Sequence, residues 1–194
     1  ASGSGAALIK TPDLAHAIVR AARQGLEDWA GGQSIHSQGF KPSRIEFIHT
    51  LNHSRSGVPV VPRRLLPLSI KTRLGFDCVV VERWVEHLLE VCPAAITLHG
   101  RTLQQMYRGA ADWSAIAEAG KRARGTGTLM LGNGDLNTLV DAMRRVAESH
   151  VQGVLVGRGT LGAPWFFREK EQARRAFSER RDLAALPATA WEPQ

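Results

Sequence analysis

The sequence predicts an α/β protein built as a run of βα units, and three observations carry that reading. Short apolar runs begin near Leu68, Ala95, Thr128 and Gly153. Segments with helical spacing of apolar residues separate them, and glycine-rich turns follow the later two, at Gly132 to Asp135 and Gly157 to Gly159. Strands that alternate with helical segments pair in parallel, because a helix must carry the chain back to the starting edge.

Composition sets the outer limits. A chain of 194 residues with 43% apolar content can bury a core and is not of the disordered class. A formal net charge of +7 and a pI near 10.2 favour a polyanionic partner. No stretch approaches the roughly eighteen uninterrupted apolar residues that span a bilayer, and the first residues have neither a basic nor an apolar signal region. The expectation is a cytoplasmic protein with no membrane partner. Cys78 and Cys92 lack CxxC spacing, so neither a zinc site nor a disulfide framework is expected, and no metal ligands are assigned. Both thiols read as small apolar fillers.

In chain order, Thr11 caps a helix with Pro12 at its first position, and Leu14, Ala17, Ile18 and Ala21 share one face. That helix ends near Gly31 and Gly32. Ile45, Ile48 and Leu51 have helical spacing, so a second helix is expected from Ser43 to about Ser54. Leu68 to Leu74 alternates with period two, which sends Ser69, Lys71 and Arg73 to one side of a strand and Leu68, Ile70 and Thr72 to the other. A mid-strand ammonium must face water or an anion, because burying it without a partner is costly. Val79 to Val91 reads as a packing helix carrying Val81, Val85, Leu88 and Leu89.

Ala95 to His99 is the next strand, with Ala95, Thr97 and His99 on one face and Ile96 and Leu98 on the other. Gly100 and Arg101 follow, the latter a planar cation suited to phosphate or a base edge. An ordinary surface pair of His99 and Arg101 is the plainer alternative. Ser114 to Arg124 reads as a short helix. Thr128 to Leu131 is an apolar strand opening onto Gly132-Asn133-Gly134-Asp135, a turn that also lets backbone amides approach an anion or a planar ring. Leu139, Val140, Met143, Val146 and Ala147 give another amphipathic helix. Gly153 to Val156 then exits into Gly157-Arg158-Gly159, whose small residues suit a phosphate cradle.

The block LHGRTLQQMYRGAADW, matched at His99, Gly100, Arg101, Thr102, Gln105, Tyr107, Gly109, Ala111, Asp112 and Trp113, resembles the signature of the tRNA-dihydrouridine synthases. GSGAALIKTPDL, SIKTRLGFD, LGNGDL and GVLVGRGTLGAPWFF resemble further segments of that family, in the family's order. Another FMN-barrel oxidoreductase would share the late glycine loops but not the HGRTLQQMYRGAADW block.

The resemblance implies a flavoenzyme that reduces the C5–C6 bond of uridine in tRNA, using FMN and NADPH. It implies a partial (β/α)8 TIM barrel, roughly its second half, since four strands are too few for a fold of about 250 residues and eight strands. Residues 1–165 would form that half barrel, with a helical insertion at 33–66 relative to the shortest family members. The functional reading of this insertion is a basic flap contacting RNA, and the plainer one a solvated helix. Residues 166–194 would form an Arg-rich helix at the start of an RNA-binding region. Lys71, His99, Asn133, Gly134, Asp135, Gly157 and Arg158 would bind the flavin, and Arg101 would orient substrate or phosphate. The chain would begin just after the family's proton-donating cysteine, which neither Cys78 nor Cys92 matches. Its expected partners are tRNA and a separate N-terminal half-barrel polypeptide. The alternative is an inactive remnant that binds flavin phosphate or RNA.

Overall fold

The computed structural model of the chain describes residues 5–56 and 63–167. These form two compact units, one made of the residues up to Ala15 together with those from Ser69 onward, the other His16–Leu68. The second is wider than the 33–66 insertion, because most of helix α1 (Pro12–Ala30) goes with it. The helix expected within 166–194 lies, beyond Phe167, outside the described residues.

The first unit opens with a 3₁₀ turn, Gly5–Lys10, whose Lys10 ammonium lies 3.1 Å from Asp77 and 3.8 Å from the Phe76 ring centroid. Its framework is β1 (Ser69–Arg73), α3 (Val81–Leu89), β2 (Ala95–His99), α4 (Trp113–Arg122), β3 (Leu129–Asn133), α5 (Leu139–Ser149) and β4 (Gly153–Leu155). The strands form one parallel sheet in the order β1-β2-β3-β4, so each helix is a crossover between neighbours. Among the described residues β1 and β4 are its outer strands.

Register decides which residues share a face. Lys71 pairs with Thr97 and Thr97 with Leu131, while Arg73 pairs with His99, His99 with Asn133 and Asn133 with Leu155. The opposite face packs under the helices through Ile96, Leu98 and Met130, joined by Val85, Leu88 and Ile116. Each such side chain contributes about 1.5–3 kcal/mol relative to exposure. Within this core the Trp84 indole N–H donates to Thr72 Oγ1 at 3.0 Å.

The second unit holds the 3₁₀ turn Ile35–Gln38 and α2 (Pro42–Ser56). Ile45 is buried and Ile48 and Leu51 are half-buried, as their spacing predicts.

Three expectations need correction. In α1 the buried positions are Ala15, His16 and Val19, whereas Leu14 and Ile18 are half exposed. Apolar residues flank both sides of this helix, so spacing alone does not choose the stripe. In α5 Ala147 is exposed, and Ala142 and Ser149 take the buried face. Cys78 and Cys92 are both exposed and so are not core fillers. Cys92 adopts a left-handed φ of 45° just past α3. No described helix is long and apolar enough to cross a membrane.

Candidate functional site

The parallel register aligns the last residues of the strands, and their side chains open into a cleft of about 360 Å³. Its floor carries Lys71 and Arg73 from β1, His99 from β2, Asn133 from β3 and Leu155 from β4. Lys71 Nζ donates to Asn133 Oδ1 at 2.9 Å, and Asn133 Nδ2 donates to the Leu155 carbonyl at 2.8 Å. The asparagine therefore ties three strands together and presents its oxygen to the ammonium. Arg73 Nη1 donates to the Thr102 carbonyl at 3.0 Å.

Three basic side chains on one small surface repel one another. Burial, and then Arg73, pushes the Lys71 ammonium below its ordinary range. Burial also lowers His99, and Arg73, Lys71 and Arg101 add to the effect against a weaker pull from Asp135, taking it to about 4. His99 is thus a neutral imidazole near pH 7. Its Nδ1 is buried and has no hydrogen-bond partner among the described residues, an unmet need where most buried polar atoms are paired.

The rim is organised by Asp135. Its Oδ2 accepts from Arg101 Nη2 and from the Ala111 backbone N–H, both at 2.7 Å, and its Oδ1 accepts from Arg158 Nη2 at 3.3 Å. Burial raises its pKa, but the Ala111 N–H and the two guanidinium groups outweigh this and hold the carboxyl below its usual range. Arg158 in turn lies 4.8 Å from the Tyr107 ring centroid. One carboxylate thus links the loops leaving β2, β3 and β4.

Asp135 has a left-handed φ of 49°, and Gly134 before it has φ 135°. A Cβ on Gly134 would meet Ala111 Cβ at 2.6 Å, so the turn accepts no larger residue without rearrangement. Behind it, the Trp113 indole N–H donates to the Gly134 carbonyl at 3.1 Å, and a Cβ on Gly132 would stand 2.5 Å from that ring. Asp112 caps α4 by accepting from Ala115 N at 2.9 Å. The GAADW segment is therefore the support on which the Gly-Asn-Gly-Asp turn rests.

Lys71, His99, Asn133, Gly134 and Asp135, drawn from three strand ends, line this cleft, and Gly157 and Arg158 complete its far edge. Arg101 does not line it. It is 2% exposed, and its Nε and Nη2 donate to the Gly109 carbonyl while Nη2 also holds Asp135. With these bonds Arg101 braces the rim from beneath. Arg73 and Tyr107 were not singled out by sequence as site residues, yet both line the cleft. The alternation placing Arg73 beside Lys71 was the available signal for the first, and for Tyr107 its place among the matched residues of the LHGRTLQQMYRGAADW block, which gives it no role by itself. Neither cysteine lines the cleft.

Residues 53–192 match the family described as dihydrouridine synthase (Dus). A probable tRNA-dihydrouridine synthase of Aquifex aeolicus is 39% identical over 118 residues, 61% of this chain and 34% of that protein. One of Mycobacterium leprae is 37% identical over 115 residues, 56% of this chain and 28% of that protein. A tRNA-dihydrouridine(47) synthase (NAD(P)(+)) of Scheffersomyces stipitis is 35% identical over 147 residues, 68% of this chain. The chain spans between 23% and 34% of the length of these three relatives.

Proposed function

Because the chain belongs to the dihydrouridine synthase family, we propose that the strand-end cleft holds FMN and that the protein serves reduction of the uridine C5–C6 bond in tRNA, with NADPH as reductant. The observation that carries this reading is the convergence, in one cleft, of cationic and amide side chains from four separate segments, with one carboxylate that is already consumed by its neighbours. A surface so charged suits a phosphate-bearing ligand.

The residues fit such a group in several respects. The buried Nδ1 of His99 lacks a partner, and a neutral imidazole beside cations can meet either a donor or an acceptor on a planar ring. Arg158, 58% exposed at its side chain and braced by Asp135 and Tyr107, is placed for a phosphate, and the Cβ direction of Gly157 is open. Lys71, whose direction Asn133 sets, would meet the flavin ring.

When bound, the flavin supplies hydride to C6 of the uracil. The chain's own part is to bind and orient. Lys71 and His99 hold the ring, Asn133 fixes Lys71, and Arg158 with the Gly157 backbone carries the phosphate. The C5 proton comes from neither Cys78 nor Cys92, since both lie outside the cleft, and on that ground we propose that the chain by itself binds without turning over.

The test is a flavin-fluorescence titration of the chain with FMN and with riboflavin. FMN should bind more tightly, and Arg158→Ala should abolish that preference while leaving riboflavin binding unchanged. Equal affinity for the two flavins in the parent protein, or no binding of either, would sink the assignment.

A further inference from the structure

We propose that the His16–Leu68 unit carries a binding site for an unpaired stretch of RNA, with one base in a recess between Trp29 and Phe40 and the adjoining phosphates on Lys41 and Arg44. The choice of RNA rests on the functional reading above; the site itself rests on different residues.

The first observation is aromatic surface that the packing of this unit leaves unused. Phe40 and Phe47 are 51% and 54% exposed. The inward stripe of α2 runs through Ile45, Ile48 and Leu51, so Phe47 lies off it and adds nothing to that core.

The second is shape. Ser34 Oγ accepts from His36 N to start the Ile35–Gln38 turn, and Gly39 ends it at a φ of 70°. The chain thereby delivers Phe40 to the mouth of a recess of about 540 Å³, walled by Trp29, Ile35 and Ile48. That volume is within the roughly 300–1,000 Å³ of small-ligand pockets. A second recess shares Phe40 and is lined by Lys41, Arg44 and Phe47. Aromatic faces thus alternate with cations, the pattern that single-stranded nucleic acid uses by stacking bases and tracking phosphates.

The third is the polarity of the recess. Gln33, Gln38, His36 and His49 stand at its edge, with the two imidazole rings stacked at 6.1 Å. An apolar peptide would bury those amides and imidazoles without return, whereas a base offers in-plane donors and acceptors together with a stacking face. Charge agrees. Glu27, Asp28 and Glu46 are the acids of this unit, against Lys41, Arg44, Arg63 and Arg64 in the stretch around the recesses alone. Arg63 is held at the edge by donating to the Trp29 and Gln33 carbonyls.

Anisotropy of a labelled oligouridine with the full chain tests the site. Phe40→Ala should weaken binding roughly 5- to 150-fold, the range for loss of one stacking platform, and Phe40→Tyr should restore it. The double variant Lys41→Gln, Arg44→Gln should flatten the slope of log affinity against log salt by about 1.4, at about 0.7 per phosphate contact. FMN binding should be unchanged in all of these variants. Oligouridine binding indifferent to Phe40, equal competition by duplex RNA, or displacement by an apolar amphipathic peptide would each overturn the inference while leaving the flavin assignment to its own titration.

Discussion

On the side of the sheet that faces α3, α4 and α5, Ile96, Leu98 and Met130 are fully buried, while the other side of the same strands carries Lys71, Arg73, His99 and Asn133. Between neighbouring residues of one strand, such as Leu98 and His99, the physical demands reverse. The helix side is mainly apolar, with Thr72 satisfied by the Trp84 indole, and contributes stability through burial. The cleft side gathers like charges and an unmet imidazole nitrogen, an arrangement that costs stability and makes sense only toward a ligand.

Four experiments can break that contrast or sharpen it. The largest effect is expected at Leu98→Ala, where a fully buried side chain leaves a cavity; urea denaturation should register a loss of about 2–5 kcal/mol. Asp135→Asn comes next. It belongs to the cleft by position but acts like a core residue, because it partners the buried Arg101 guanidinium. The expected loss is about 1–3 kcal/mol, since the aspartate is partly exposed, and FMN affinity should fall with it as Arg158 loses its brace. If Asp135→Asn left the denaturation midpoint where it was, the clasp of the three loops would be wrong.

The third effect is a pH dependence. The folded protein holds His99 at about 4, below its unfolded value of 6.5. Between these values the unfolded chain takes up a proton that the folded one refuses, so stability falls as pH drops through this window and recovers as it rises. Parent and His99→Gln proteins compared from pH 4 to 7 should show the dependence weakened in the variant. A ring titrating near 6.5 by NMR would remove the basis for calling it neutral. The smallest effect is at Lys71→Met. Burial and Arg73 both disfavour the ammonium, so its removal should raise the thermal midpoint slightly, within about 0.5 kcal/mol of the parent, while weakening FMN retention. A clear loss of stability there would mean that the Lys71–Asn133 bond supports the fold more than the site.

Much of this contrast is legible in the sequence because strands write their faces at a fixed period. Lys71 and Arg73, or Thr97 and His99, must point together once the strand exists, and in-register parallel pairing carries that direction across the sheet. Helices are less explicit. α1 has apolar residues at both 14 and 18 and at 15 and 19, and only packing selects the latter pair. Arg101 is opaque for another reason: its partner Asp135 lies thirty-four positions away, so a residue that reads locally as an exposed fork becomes a buried brace. Tyr107 is opaque in the same way, because what makes it part of the cleft is Arg158, on a loop two strands later.

The indole of Trp113 against the bare Cα of Gly132 has a consequence for how such a sequence can drift. Any side chain at 132 would put its Cβ about 2.5 Å from the ring, far inside van der Waals contact, so position 132 cannot grow while the indole stays. Enlargement at 132 requires prior shrinkage at 113, and the intermediate with a small residue at 113 also loses the hydrogen bond to Gly134. Substitution at 132 should therefore follow one at 113, with the narrow step between them passing through a loosened Gly-Asn-Gly-Asp turn.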